Sequence, residues 1–71
     1  MELYFKLNIG YQQFLPYYQG IAEKVEVRDS LGRILWINGR HLRSFLTKDG
    51  IHGNFKLVLD SQGKFVSISR I

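Results

Sequence analysis

The chain of 71 residues contains no cysteine, one proline, one tryptophan and two histidines. Without cysteine, neither a disulfide nor a cysteine-based zinc site can stabilise the fold. The histidines, His41 and His52, are too few for a metal site built from histidine alone and do not form an i, i+4 pair. We therefore expect no metal site and no cofactor, and a fold that is stabilised by packing.

Long apolar runs are also missing. No stretch approaches the roughly 18 apolar residues that a membrane-spanning helix needs. The amino-terminal residues carry Glu2 early and lack the apolar core and small-residue cleavage site of a signal peptide. These absences predict a cytoplasmic protein that does not use a membrane as its partner.

The remaining composition is typical of one small folded domain, which we place at residues 1–71. Hydrophobic residues make up 45% of the chain and charged residues 23%, which argues against disorder. A core of this size rarely supplies more than about 3–5 kcal/mol, so self-association would help. The net charge of +4 permits nucleic acid, an anionic membrane face or an acidic protein as partner and selects none of them.

Alternating polarity marks the strands. Leu3, Phe5 and Leu7 share one parity, and such spacing places side chains on the buried face of a half-exposed strand. Val25 and Val27 repeat the pattern. By the same reasoning, strands are expected at residues 2–8, 21–29, 33–38, 54–60 and 64–71.

Two segments, residues 10–18 and 40–47, have helical spacing instead. In the first, Phe14 and Tyr18 are four residues apart, and Pro16 limits the element to a short helix or a 3₁₀ segment. The second is predicted to be a short helix with an apolar stripe at i, i+3 and i+4. The residues of that stripe are Leu42, Phe45 and Leu46.

The turn at residues 29–32 predicts the register of a first antiparallel hairpin. Aspartate at its first position and glycine at its fourth favour a type I turn followed by a glycine bulge. Pairing of Asp29 with Arg33 then places four apolar side chains on one side: Val25, Val27, Leu35 and Ile37. The opposite side carries Lys24, Glu26, Arg28, Ile34 and Trp36.

The turn at residues 60–63 repeats this chemistry and predicts a second hairpin. The same register places Leu59 opposite Phe65 and Leu57 opposite Ser67. The other side of this hairpin is then expected to carry Lys56, Val58, Val66 and Ile68.

These elements predict an α+β fold in the order β-α-β-β-α-β-β. We expect one small, mostly antiparallel sheet of five strands that is strongly curled, together with two short helices. The alternative is a flatter ferredoxin-like sheet with an added strand and both helices on one face. Helices of this length are short for that plan, which favours the curled sheet.

The polar side of the first hairpin is the candidate protein-contact surface. Trp36 and Ile34 lie there beside Glu26 in the predicted register. In so small a protein a helix commonly covers such a tryptophan. If none does, Trp36 and Ile34 form an exposed apolar patch, and large aromatics are typical anchors of protein interfaces. The leading interpretation is therefore a non-catalytic binding module that contacts a protein partner or forms a homodimer.

A cluster of basic residues provides the alternative. Cations track phosphates while aromatic rings stack on bases, as in proteins that bind single-stranded nucleic acid or RNA. The same cluster is also compatible with an ordinary solvated face beside a buried aromatic. The candidate nucleic-acid contacts are Arg40, His41, Arg43, Lys48 and Lys56.

No segment carries a catalytic or cofactor motif. No serine lies in a nucleophile-elbow context, and residues 50–53 are too short for a phosphate loop and lack its Lys-Ser/Thr ending. Asp29 and Asp60 are explained by their turns. We therefore do not expect an enzyme.

Three segments resemble a family of small proteobacterial proteins known as domain of unknown function 2835: residues 17–20, residues 42–55 and residues 64–71. The string Gly-Ile-His-Gly-x-Phe at residues 50–55 is the most specific part. The chain departs from the family at Gly10, where a capping Ser or Thr is usual, and at Asn38-Gly39, where Pro-Ala is usual. The resemblance implies a bacterial, cytoplasmic, stand-alone protein. It transfers no activity and no functional residue.

Overall fold

The computed structural model describes all residues, 1–71, and contains five strands and one α-helix. In chain order these are β1 (Glu2–Ile9), α1 (Tyr11–Tyr18), β2 (Lys24–Arg28), β3 (Ile34–Asn38), β4 (Ile51–Leu59) and β5 (Phe65–Arg70). The α+β class is confirmed. With eight residues, α1 is far too short to cross a membrane, and no other helix is long and apolar enough to do so.

The strands form two antiparallel sheets, one with the order β1-β4-β5 and one made of β2 and β3. The prediction of a single, strongly curled sheet is therefore wrong. One bridge, between Phe5 and Asp29, joins the two sheets, and Ser30 N–H donates to the Tyr4 carbonyl across 2.8 Å. Two-stranded ribbons twist more than larger sheets, which explains why pairing between β1 and β2 does not extend beyond this bridge.

The core lies between the two sheets and α1. Helix α1 begins after Gly10, whose N–H donates to the Gln13 side chain at 3.0 Å, so a glutamine supplies part of the missing cap. Phe14 is the fully buried residue of this helix. The cluster of buried apolar side chains is Leu3, Phe5, Leu7, Phe14, Val25, Val27, Ile37, Leu42, Ile51, Phe55 and Leu57.

The register of the first hairpin is confirmed. Val27 pairs with Leu35 and Val25 with Ile37, and this side faces the core. Asp29 fixes the turn because its carboxylate accepts bonds from the N–H of Arg33 at 2.7 Å and of Leu31 at 3.1 Å. The Arg33 guanidinium adds an ion pair of 2.7 Å to a carboxylate that is 1% exposed.

These contacts predict that Asp29 makes the stability of the protein depend on pH in the acidic range. Burial raises the pKa of Asp29, but the hydrogen bonds and charge of Arg33 outweigh it, so the pKa lies below its usual range. A carboxyl whose pKa is lowered by folding stabilises the protein above roughly pH 4 and loses that contribution as the pH falls through the folded-state pKa. We expect Asp29→Asn to be less stable than wild type at pH 7 and to lose less stability on acidification.

Urea denaturation at several pH values measures both effects. Wild type and Asp29→Asn should differ most at neutral pH and converge in acid. Two parallel stability profiles would contradict the proposed role of Asp29.

The second hairpin departs from its predicted register by one residue. Leu59 pairs with Phe65 as predicted, but Leu57 pairs with Ile68 rather than Ser67. A bulge leaves Val66 as an extra residue on β5 and turns Ile68 toward the core, where it packs against the buried cluster. The earlier assignment of Ile68 to the outer face is therefore wrong, while Val66 is exposed.

The predicted second helix is also wrong. Two 3₁₀ turns, Gly39–His41 and Arg43–Phe45, occupy the segment. Their hydrogen bonds join residues three apart, as from Leu42 N–H to the Gly39 carbonyl at 2.9 Å. Leu42 is fully buried, and Leu46 returns to an extended conformation. The i, i+3 spacing of the apolar residues suits a 3₁₀ turn as well as an α-helix.

Candidate functional site

The outer face of the first hairpin carries the residues predicted to contact a protein. The register places Glu26 beside Trp36 and Arg28 beside Ile34. No helix covers this face: Trp36 is 67% exposed and Ile34 is 50% exposed. The structure therefore brings Glu26, Ile34 and Trp36 together on one solvent-facing surface, which we call the Trp36 face.

A hydrogen bond orients the indole on this face. The Trp36 Nε1–H donates to the Glu26 carboxylate across 3.2 Å. Glu26 lies on β2, so the ring leans across the hairpin and away from the free edge of β3. The arrangement presents an aromatic surface surrounded by charged side chains, as at the core and rim of a protein interface.

A groove of about 280 Å³ runs beside β3, between that strand and the second hairpin. His41 and Phe65 form one wall, with their rings stacked at 3.7 Å and an angle of 8°. Burial, and then the charge of Arg40, lowers the pKa of His41, which favours the neutral imidazole. The other lining residues are Lys24, Leu35, Trp36, Ile37, Asn38, Leu57, Leu59 and Gly63.

A larger open cavity, of about 480 Å³, lies where the first turn meets β1. Lys6 and Arg28 line it, but Arg28 already donates to the Gly32 carbonyl at 3.0 Å, and Asp29 is committed to its turn. Its larger size does not make it the better site, because the Arg28 and Asp29 side chains in it already bond to the first turn. The groove beside β3 adjoins the exposed Trp36 and is therefore the better candidate for a binding site.

The basic residues predicted to contact nucleic acid come from several elements of the fold. Arg43 lies over the Tyr18 ring at 5.4 Å, on the side of α1. Lys56 is on β4, paired with Tyr4 across the outer face of the other sheet. His41 packs in the groove wall, whereas Arg40 and Lys48 are exposed on separate turns. His41 and Arg43 therefore pack against different elements, β5 and α1, and Lys56 lies on the β1-β4-β5 sheet.

The string Gly-Ile-His-Gly-x-Phe at residues 50–55 has a structural role. Gly50 has φ +104°, and a Cβ there would overlap the Ile9 carbonyl. His52 contacts the Asn8 side chain at 3.2 Å through Nδ1 and the Asp49 carbonyl at 2.9 Å through Nε2. A Cβ at Gly53 would overlap the Arg70 guanidinium. The string therefore closes the turn before β4 and seats Arg70, while Ile51 and Phe55 fill the core.

A family model described as "Protein of unknown function (DUF2835)" matches residues 1–71, the whole chain. The chain belongs to the DUF2835 family. Comparison with curated proteins and with solved structures gave no match.

Membership of DUF2835 assigns no activity, so the surface of this DUF2835 protein must indicate what it does. No three His, Asp or Glu side chains lie close enough together to hold a metal ion. The groove could not have been found from the sequence, because its walls come from β3, a 3₁₀ turn and the second hairpin. The Trp36 face and the groove provide apolar contact area and hydrogen-bonding groups, which suits binding.

Proposed function

We propose that this protein is a small, non-catalytic interaction module whose contact surface is the Trp36 face. Its partner is another protein or a second copy of the chain. The exposure of Trp36 is the observation that carries the proposal. Large aromatic side chains at the centre of an interface contribute much of its binding free energy.

Several features support this use of the face. The fold buries Phe14, Phe55 and Leu42 completely, while its only tryptophan lies on the surface beside Ile34. An apolar patch rimmed by charged residues is typical of a binding site. Glu26 also holds the indole in one orientation, which reduces the side-chain entropy that binding must remove.

The Trp36→Ala variant tests the proposal. Because Trp36 is outside the core, we expect the free energy of unfolding to change by less than about 1 kcal/mol. Association should be lost. Sedimentation measures the mass against the 8.3 kDa of the monomer, and circular dichroism checks the fold.

Ile21→Ala is the matched control, since Ile21 is 80% exposed but lies in the loop before β2, off the Trp36 face. It should associate as wild type does. If Trp36→Ala associates as strongly as Ile21→Ala, the Trp36 face is not the binding surface.

The alternative proposal is binding of single-stranded nucleic acid or RNA through Arg40, His41, Arg43, Lys48 and Lys56. The pairing of Arg43 with the Tyr18 ring favours it locally. It has less support than the protein interface because His41, Arg43 and Lys56 lie on different elements and contact different parts of the fold. A mixed-sequence oligonucleotide in the same assay separates the two, since nucleic-acid binding must weaken steeply as salt rises.

A further inference from the structure

The edge of β3 that faces away from β2 presents unpaired backbone groups. Bonds from Asp29 N–H to the Arg33 carbonyl and from Gly39 N–H to the Glu23 carbonyl fix which residues bond across the hairpin. Antiparallel pairs alternate between bonded and non-bonded positions, so the intervening residues of β3 point their N–H and C=O groups outward. Those residues are Ile34 and Trp36, followed by Asn38, whose N–H points outward while its carbonyl begins the 3₁₀ turn Gly39–His41. Strand β3 pairs with no strand other than β2.

This edge lacks the features that protect the other edges of the two sheets. Natural sheets protect an edge with charged side chains, bulges or a covering segment. The outer edge of β1 is covered in part by Ser30, β5 carries the bulge at Val66, and β2 has charged residues at alternate positions. The sequence of β3, Ile-Leu-Trp-Ile-Asn, contains no charge and no proline, and its pairing with β2 has no bulge.

The groove lies directly beside this edge and is built to receive apolar side chains. Leu35, Ile37, Leu57, Leu59 and Phe65 line it together with the His41 ring. A strand added to β3 would direct every second side chain into this space.

The charges around the groove favour an acidic occupant. Its only charged lining residue is Lys24, and no carboxylate lines it. Arg40 and Lys64, which adjoin His41 and Phe65 in the chain, are exposed nearby, and the protein carries a net charge of +4. A second copy would bring a further +4 to this basic region, whereas an acidic segment would be attracted to it.

We propose that the free edge of β3 binds an extended, acidic segment of a partner protein as an added strand, with alternate apolar side chains in the groove. This inference rests on the proposed function and names the chemistry of its partner. Backbone hydrogen bonds to Ile34, Trp36 and Asn38 hold the segment, and the groove selects its apolar residues.

A synthetic peptide, acetyl-Glu-Val-Glu-Leu-Glu-Val-Glu-amide, is the probe, and the same peptide with lysine at each glutamate is its control. Trp36 fluorescence reports binding, and amide hydrogen exchange locates it. The acidic peptide should bind with a Kd of about 1 mM or lower, and the lysine peptide should not bind in that range. Exchange at Ile34, Trp36 and Asn38 should slow at least about 10-fold.

Ile34→Pro removes one outward N–H but leaves the bonds to β2 intact, since proline is tolerated on an edge where the N–H is unused. It should bind the acidic peptide about 5-fold more weakly than Ile34→Ala, which loses the same side chain but keeps the N–H. Circular dichroism checks that both variants fold. If Ile34→Pro does not fold, the pattern of amide exchange in wild type with the peptide bound still tests the same edge.

Absence of binding by the acidic peptide, equal binding of both peptides, or protection of β5 instead of β3 would overturn the inference. Slowed exchange of the β3 amides that grows with protein concentration, without peptide, would assign the edge to a second copy and also overturn it. If association is lost in Trp36→Ala but is no weaker in Ile34→Pro than in Ile34→Ala, the inference fails while the Trp36 face stands.

Discussion

Phe55→Ala is expected to unfold most of the protein under conditions in which wild type is folded. Phe55 is fully buried on β4 and stacks on Phe5 with ring centroids 5.5 Å apart. Its ring also meets Phe45 edge-on at 5.0 Å, and the Arg70 guanidinium lies 5.1 Å from its centroid. Truncating a buried phenylalanine costs about 3–5 kcal/mol. A core of this size supplies about the same amount in total.

Urea denaturation followed by far-ultraviolet circular dichroism measures the loss. Phe65→Ala is the matched control, because Phe65 is 38% exposed and packs on His41 at the groove wall. Phe65→Ala should lower the free energy of unfolding by about 1 kcal/mol. Equal losses for the two variants would contradict the position of Phe55 at the centre of the core.

Gly50→Ala is expected to lower the free energy of unfolding by about 2–5 kcal/mol, from backbone strain and overpacking together. Gly50 has φ +104°, a conformation that other residues rarely adopt, and its Cα faces the Ile9 carbonyl and the backbone of Gly10. A methyl group there would push the turn before β4 away from the junction of β1 and α1. That junction is backbone and cannot rotate aside.

Gly63→Ala separates the effect of backbone strain from the effect of the close contact between Gly50 and Ile9. Gly63 has φ +81°, but nothing lies within 4 Å of the position that its Cβ would occupy. Gly63→Ala should lower the free energy of unfolding only by the cost of the left-handed backbone conformation, about 1–2 kcal/mol. Chemical denaturation of both variants gives the comparison, and a loss at Gly50 no larger than that at Gly63 would show that the contact with Ile9 is unimportant.

The first hairpin was predictable because its information is local. The Asp29 turn sets the register within a few residues, and the register alone decides that Val25 and Val27 face the core. Period-two alternation then places Trp36 and Glu26 on the opposite side. The sequence therefore predicts which side of the hairpin Glu26 and Trp36 occupy, and only the folded chain shows that no helix covers that side.

The second hairpin has the same turn chemistry but needed information from outside the hairpin. Asp60 accepts bonds from Gln62 and Lys64 much as Asp29 does in its turn. The bulge at Val66 brings Ile68 into the core beside Leu57, and this depends on how β5 packs against the other elements. Turn chemistry fixes the nearest pair of residues and does not fix the rest of the strand.

The remaining errors also concern tertiary structure. The spacing of Leu42 and Phe45 is compatible with an α-helix and with 3₁₀ turns. In the folded chain two 3₁₀ turns flank Leu42 and bury its side chain. The split into two sheets depends on the twist of a short hairpin against a longer sheet. The groove depends on both, because His41 and Phe65 meet only once these elements are in place.

The exposure of Trp36 in the folded monomer is the central claim, and its fluorescence tests it directly because it is the only tryptophan. At low protein concentration, the emission maximum of the native protein should lie close to that of the urea-unfolded chain, and acrylamide should quench both to a similar degree. Native emission at clearly shorter wavelength, shifting to the red only on unfolding, would place the indole inside the protein and contradict the account.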